Sequence, residues 1–462
     1  MSFSDLPARL QFSLASATLA GALVLGGGQG FLGDGVVQML ALALVAVCLW
    51  RQASDPGSRL PRLAWMALLP LALPILQLLP LPEGVWLMPA ARAELGQELA
   101  AAGVEPAGRW SLVPLATEQA LFWVLPAVAL FLACLQLDGN QRRKLLALLV
   151  LAATASVLLG LAQLADGRDS GLRFYSNTNI GASVGFFANR NHLASLLAVA
   201  LPLVVVGSAL WLERRESWDA RTLLGVAARV GLVALLILGI AITLSRAGLL
   251  LGMLGLFLSL PVVLGLRRRR GTTRWLAVGT SLGLMLALQF ALFGIVKSQE
   301  KDPLDDARLR YLPVVEAVAR QHGPLGTGLG GFRRAFEAED PAQGRAYINH
   351  AHNDWAELWL EGGWPGLALM FAAAAGLVVS GWRLWRQDRD ASPGPRAIAR
   401  AAWLGLLLLA LHSLADYPLR TSALLAVAGL LAGQVAVVAG GREKAVLPLQ
   451  DSRRRLGPAF NP

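Results

Sequence analysis

Apolar residues fall in long runs of roughly 18–22 positions, separated by short basic or polar intervals. The runs lie at about 10–28, 33–50, 63–80, 117–137, 144–165, 190–211, 223–244, 247–266, 275–296, 363–385, 397–415 and 421–440. As an α-helix, each has the length that crosses a hydrocarbon core of about 30 Å. The short alternating segments of a β-barrel are missing. This pattern predicts an all-α polytopic membrane protein with about twelve transmembrane helices, and one large polar loop with short helices at about 297–362.

Basic residues then orient the spans. Arg51, Arg59 and Arg62; Arg142, Arg143 and Lys144; Arg214, Arg215 and Arg221; Arg267 to Arg270 with Arg274; and Arg383, Arg386, Arg389, Arg396 and Arg400 occupy every second connection. The tail with Arg442, Lys444 and Arg453 to Arg455 falls on the same side. By the positive-inside rule these segments and both termini are cytoplasmic. The opposite side, the periplasm of a bacterium, receives about 81–116, 166–189, the turn at Ser245-Arg246, the loop 297–362 and the turn from Asp416 to Arg420. The expected division is therefore 1–296 with spans one to nine, 297–362 as the large periplasmic loop, and 363–462 with spans ten to twelve and the basic tail. Arg9 and the apolar run after it lack a cleavage site and read as the first span. The loop from Pro82 to Trp110 reads as an interfacial helix, with Trp86 and Trp110 in an aromatic belt.

Composition strengthens this reading. Of 462 residues, 55% are hydrophobic and 15% charged, whereas soluble domains carry about 25% charged residues. Mean hydropathy is +0.54. The net charge of +11 sits in short loops, so it is an orientation signal and implies no nucleic acid. Cys48 and Cys134 both lie inside spans, with neither disulfide nor metal-ligand spacing.

The chemistry concentrates in the polar interval. Helical spacing at 314–321 ends at His322-Gly323-Pro324, and the glycine-rich run 326–331 follows. No Lys-Ser/Thr follows those glycines, so they form no phosphate-binding P-loop; they let the backbone turn sharply or come close to a ligand. His350 and His352 stand two apart, a spacing that does not suit a shared metal on one helix face. A neutral imidazole suits proton abstraction from a sugar hydroxyl. Glu357 and Glu361, four apart, share a helix face from which either could orient a histidine or an acceptor. Arg246 is a lone charge between two apolar runs, and Arg190 stands among Asn189, Asn191 and His192 at the start of another. Charges at such depth face a partner or cavity, and a guanidinium fork fits two phosphate oxygens, so two arginines on one side suit a diphosphate. Plainer roles stay open: a snorkelling arginine, helix-capping asparagines, and acids at a helix start. His412, Asp416 and Arg420 occupy another outward helix end, in structural or supporting roles.

Several motifs together resemble the O-antigen ligase and O-antigen polymerase superfamily of bacterial polysaccharide assembly. They are Phe186-Phe-Ala-Asn-Arg190-Asn-His-Leu-Ala, Leu244-Ser-Arg246-Ala-Gly, Asp306-Ala-Arg308-Leu, Gly326-Thr-Gly-Leu-Gly-Gly-Phe332, His350-Ala-His352-Asn-Asp with Glu361-Gly-Gly, and His412-Ser-Leu-Ala-Asp416-Tyr-Pro-Leu-Arg420. The resemblance covers the middle and last third; the first 160 residues match only as spans. It implies a metal-independent, cofactor-free glycosyltransferase of the bacterial inner membrane, acting at the periplasmic face. The donor would be a glycan on undecaprenyl diphosphate, and the acceptor a glycan or lipid A core; membrane lipid and a chain-length regulator protein are the other implied partners. Carried over by motif, Arg190 and Arg246 hold the diphosphate, and His352, with His350 as the second candidate, is the general base. Asn189, Asn191, Arg308, Asn353, Asp354, Glu357, Glu361 and Arg420 support the site or bind the acceptor. The form of the Arg190 motif leans towards a polysaccharide polymerase rather than a ligase. A transporter of an anionic lipid or solute, and a non-catalytic envelope scaffold, are the rival classes.

Overall fold

The computed structural model describes residues 6–28, 30–54, 59–105, 108–215, 217–266, 303–339, 348–386 and 393–441, with the backbone alone for residue 31 and for 303–310. The expected span at 275–296, the arginine run 267–270 and the basic tail lie outside the described residues.

The elements are α1 Leu6–Leu25, α2 Phe31–Ser54, a 3-10 segment Arg62–Leu68 running into α3 Leu69–Gln77, α4 Glu83–Trp86, α5 Ala90–Ala101, α6 Pro114–Gln136, α7 Gly139–Ala165, α8 Arg190–Glu213, α9 Ala220–Ile242 and α10 Arg246–Gly265. After them come α11 Pro303–Gln321, α12 Phe332–Glu339, α13 Asp354–Arg386, α14 Pro393–His412 and α15 Ser422–Ala439. Ten of these, α1, α2, α6 to α10 and α13 to α15, are long and apolar enough to span a membrane. The chain is an all-α polytopic membrane protein.

Local sequence sets the helix starts. Asp138 and Gln141 form a capping box at α7, and Asn189, Asp219, Ser245 and Thr421 accept backbone N–H groups at α8, α9, α10 and α15. The third apolar run departs from expectation. Pro70 restarts the helix and Pro74 removes one of its hydrogen bonds, so the run becomes a 3-10 segment joined to nine residues of α-helix. At about 2.0 Å per residue for the 3-10 part and 1.5 Å for α3, the run is still about 27 Å long, and it crosses the bundle: Leu63 lies beside Gly440 at the C-terminal end of α15, and Gln77 bonds Glu361 and Leu329 at the other end. The tenth run also differs: α13 starts at Asp354, inside the expected loop, and breaks at Gly363.

The most buried spans are α8 and α15, each with 72% of its apolar window inside the protein. In lipid, helices associate by close packing rather than by escape from water. Gly429 of α15 shows this, since a Cβ there would run into the backbone of Ala127 in α6.

Several of the segments expected on one side do meet at one end of the bundle. Leu112 N–H donates to the Thr327 carbonyl (2.9 Å), Ala188 N–H to Gly27 (3.1 Å), and Asp354 N–H to Ser413 (2.9 Å). The tryptophans of the 81–116 segment are clasps rather than belt residues. Trp86 is buried and donates its indole N–H to the Arg109 carbonyl, and Trp110 donates to Leu325 (2.8 Å). Instead of one interfacial helix, this segment forms α4 and α5.

Candidate active site

Two histidine–carboxylate pairs stand side by side. His350 Nδ1 lies 2.8 Å from Glu357 Oε1, and the other Glu357 oxygen accepts the Ala351 N–H at 2.8 Å. His352 Nδ1 lies 3.1 Å from Asp416 Oδ1, which also accepts the Tyr417 N–H at 3.0 Å. Both carboxylates are buried. The His352 side chain is 24% exposed and that of His350 12%, so His352 is the more open ring. His352 has a φ of 50°, a left-handed conformation uncommon outside glycine, which lets histidines two residues apart meet different acids.

Tyr417 joins these pairs to α8. His350 stacks on its ring at 4.2 Å, His192 and His352 meet it edge-on at 4.9 Å each, and Asn189 Nδ2 donates to its hydroxyl at 3.3 Å. Burial, reinforced by the Asp416 charge, pushes the Tyr417 phenol far above its ordinary range, so it is a neutral platform. His412 Nδ1 sits 2.6 Å from Ser195 Oγ. Four of the chain's five histidines thus collect at one place.

Arg420 anchors the start of α13. Its Nη1 contacts Glu361 Oε2 at 2.5 Å and Glu357 Oε1 at 3.5 Å, and its Nε lies 3.6 Å from Asp354 Oδ1. Burial alone would lower the guanidinium pKa, but Glu357, Glu361 and Asp354 more than offset it, and Arg420 is held firmly charged. Glu361 Oε1 accepts from Gly330 N–H (2.9 Å) and Phe332 N–H (3.1 Å). Asp354 Oδ2 accepts from Ser413 Oγ (2.7 Å) and Leu419 N–H (3.1 Å). Asn353 caps α13 through the Trp355 and Ala356 N–H groups, both at 3.0 Å. Asn353, Asp354 and Glu361 are thus engaged in holding the chain.

The glycine-rich turn approaches protein backbone, not a ligand space. A Cβ at Gly326 (φ 74°) would sit 2.5 Å from the Glu361 carbonyl, because the turn lies against the break in α13. Gln77 pins both strands of this contact, donating to Glu361 O and accepting from Leu329 N–H, each at 2.9 Å.

Arg190 and Arg246 are the first residues of α8 and α10. Their first turns pack together, with Gly248 making room for Ala194. Arg190 is half-buried and Arg246 exposed. Leu244, at φ 56°, turns the chain into the Ser245 cap. Two helix N-termini carrying partial positive charge therefore sit side by side, each with a guanidinium, an arrangement suited to an anion. Asn189 and His192, flanking Arg190, both touch Tyr417, so this cationic corner adjoins the histidines. Asn191 is buried; its N–H goes to Asn189 Oδ1 and its carbonyl accepts from Ser195. The side chain of Arg308 lies outside the described residues.

Sequence reasoning did not pair Asp416 with His352, and it missed Tyr417 and Gln77. The signals were present: an Asp-Tyr-Pro turn between two spans, and a lone glutamine at the end of an apolar run.

Fold and site together define a helical membrane protein with buried histidine–carboxylate pairs at one end of its bundle, beside two arginine-bearing helix starts. Residues 231–371, under a third of the chain, match the family model described as O-antigen ligase, in agreement with the resemblance that the motifs carry. The matched stretch contains Arg246, Arg308, the glycine turn, both histidines and Glu357 and Glu361; Arg190 and the turn 416–420 lie outside it. No curated protein matches the chain.

Proposed function

We propose that this protein is a glycosyltransferase that moves a glycan from undecaprenyl diphosphate to a sugar hydroxyl, without a metal, at the periplasmic face of the bacterial inner membrane. The observation that carries the reading is the His352–Asp416 pair beside the Arg190 and Arg246 helix starts. Asp416 on Nδ1 fixes the imidazole proton there and leaves Nε2 as the acceptor. The acceptor hydroxyl gives its proton to Nε2 as its oxygen bonds to the anomeric carbon. The bond from that carbon to the phosphate oxygen breaks, and undecaprenyl diphosphate leaves. Its growing charge is stabilised by the two guanidiniums and the two helix ends. A single displacement of this kind inverts the anomeric centre.

The acceptor assigned here is a second lipid-linked glycan, making the enzyme a polymerase. The family description, O-antigen ligase, keeps transfer to lipid A core as the second reading. The test uses protein in lipid nanodiscs with an undecaprenyl-diphosphate oligosaccharide and excess chelator. Lengthened glycans and free undecaprenyl diphosphate are expected from wild type, with His352→Ala slower by about 10²–10⁴-fold and His350→Ala retaining more activity. Turnover only when lipid A core is added selects the ligase. Full activity in His352→Ala sinks the histidine-base reading, and transport without product favours the transporter.

A further inference from the structure

At the far end of α8, Trp211 lies some 21 positions from Arg190, about 32 Å along the helix axis and so at the opposite membrane boundary. Its indole carries two cations: the Arg229 guanidinium is 3.6 Å from the ring centroid and that of Arg215 4.5 Å. The recess is built rather than incidental. Gly225 of α9 lets the indole lie flush on the helix, where any Cβ would collide with it, and Arg229 Nη1 donates to the Gly225 carbonyl at 2.9 Å. Arg229 is the tenth residue of α9, and its side chain reaches back towards the helix start, so that its guanidinium lies at the boundary marked by Trp211. Among the described residues neither guanidinium forms an ion pair with a carboxylate. Arg215 acts, among the described residues, on Asp219, an exposed residue engaged in capping α9. Around this pair α9 presents Leu223, Leu224 and Val230 outward.

We infer that Trp211, Arg215 and Arg229 form a binding site for the phosphodiester of a membrane phospholipid, whose acyl chains lie along the apolar outer face of α9. Two like charges gathered at one indole repel each other, and a phosphate that reaches both guanidiniums lowers the repulsion and forms charge-assisted hydrogen bonds to them. The apolar flank selects a lipid over a free oxyanion. The site stands apart from the histidine cluster, and its existence does not depend on the glycosyltransferase reading.

Native mass spectrometry of the full chain in mild detergent tests this with three additives: phosphatidylglycerol, diacylglycerol with the same chains, and inorganic phosphate. Wild type is expected to hold a first, tightest phosphatidylglycerol adduct that equimolar inorganic phosphate does not displace, and to hold diacylglycerol far more weakly. Arg215→Gln with Arg229→Gln should weaken that first adduct about tenfold, and Trp211→Leu should weaken it as well. Unchanged affinity in the double variant overturns the site. Diacylglycerol binding as tightly as phosphatidylglycerol reduces it to an apolar contact and also overturns it, as does displacement by inorganic phosphate, which would mark a free-anion site. If the double variant does not survive purification, Trp211→Leu decides, and an unchanged first phosphatidylglycerol adduct in that variant overturns the site.

Discussion

His350 and His352 share a motif but not a partner, and the difference assigns their roles. His352 is the more open ring, and its acid, Asp416, accepts the Tyr417 N–H beside it, whereas Glu357 serves His350 and Arg420 together. Asp416→Asn should therefore cut kcat by about 10²-fold or more with little change in KM, because it releases the tautomer while leaving substrate contacts intact; steady-state kinetics in nanodiscs would show it. Arg420→Met removes the cation that neutralises three buried carboxylates, and a loss of about 3–5 kcal/mol is expected, read as a lower melting temperature in detergent. A pH effect belongs to His322. Burial, with Arg92 nearby, holds its pKa down to about 4. Unfolded, it would take up a proton near pH 6.5, so between about 6.5 and 4 the unfolded state binds more protons and stability falls as pH drops, by roughly 3 kcal/mol in all. His322→Leu should flatten that stretch of the melting-temperature profile, and an unchanged slope would assign the effect to other groups. The His350–Glu357 pairing was partly legible in sequence, because its residues are seven apart and flank the start of one helix. Asp416 lies 64 residues from His352, across two spans, and no local pattern announces such a contact.

The decisive element is α13, where sequence reads one apolar run and the structure shows a short polar-faced helix, a break and a span. The break at Gly363 has φ 56°, and a Cβ there would run into the Pro324 carbonyl. Gly363→Ala should thus cost stability twice over, through a strained conformation and an overpacked contact, on the order of 2–4 kcal/mol. In the same helix Gly376 faces open space, and Gly376→Ala should be neutral or stabilise by up to about 1 kcal/mol. Melting both variants separates a specific backbone contact from a general intolerance of substitution in this helix; equal losses would remove the explanation. Helix existence and type were legible because apolar length dominates in lipid. The break was not, because Glu361-Gly-Gly-Trp-Pro365 reads equally as a loop end or a helix kink until the turn at 326–331 is seen lying against it. The third run was legible as a crossing segment but not in its form: hydropathy marks its length, while its 3-10 start and the α-helix with Pro70 in its first turn follow from its prolines.

Taken whole, the molecule separates its charges by end. The histidines, the acids around Arg420 and the Arg190 and Arg246 helix starts gather at one boundary, while Trp211 with its two arginines lies about 32 Å away at the other. By the positive-inside rule we propose that the first boundary faces the periplasm and the second the cytoplasm, and the proposed chemistry requires this, since the glycan donor must be met on the outer side. Cysteine labelling can test it directly, because Cys48 and Cys134 are both buried and should stay silent. Ser176, in the exposed 166–189 segment, and Ser217, between α8 and α9, are both exposed and belong to opposite ends. In spheroplasts, a membrane-impermeant maleimide should label Ser176→Cys in intact cells, and Ser217→Cys only after lysis. The reverse pattern would place the histidine centre in the cytoplasm, and the periplasmic transfer reaction would then fail even if the purified protein turned over. Equal labelling of both before lysis would point instead to a leaky preparation, and Ser176→Cys labelled only after lysis would mean that the basic loops do not set the orientation of this chain.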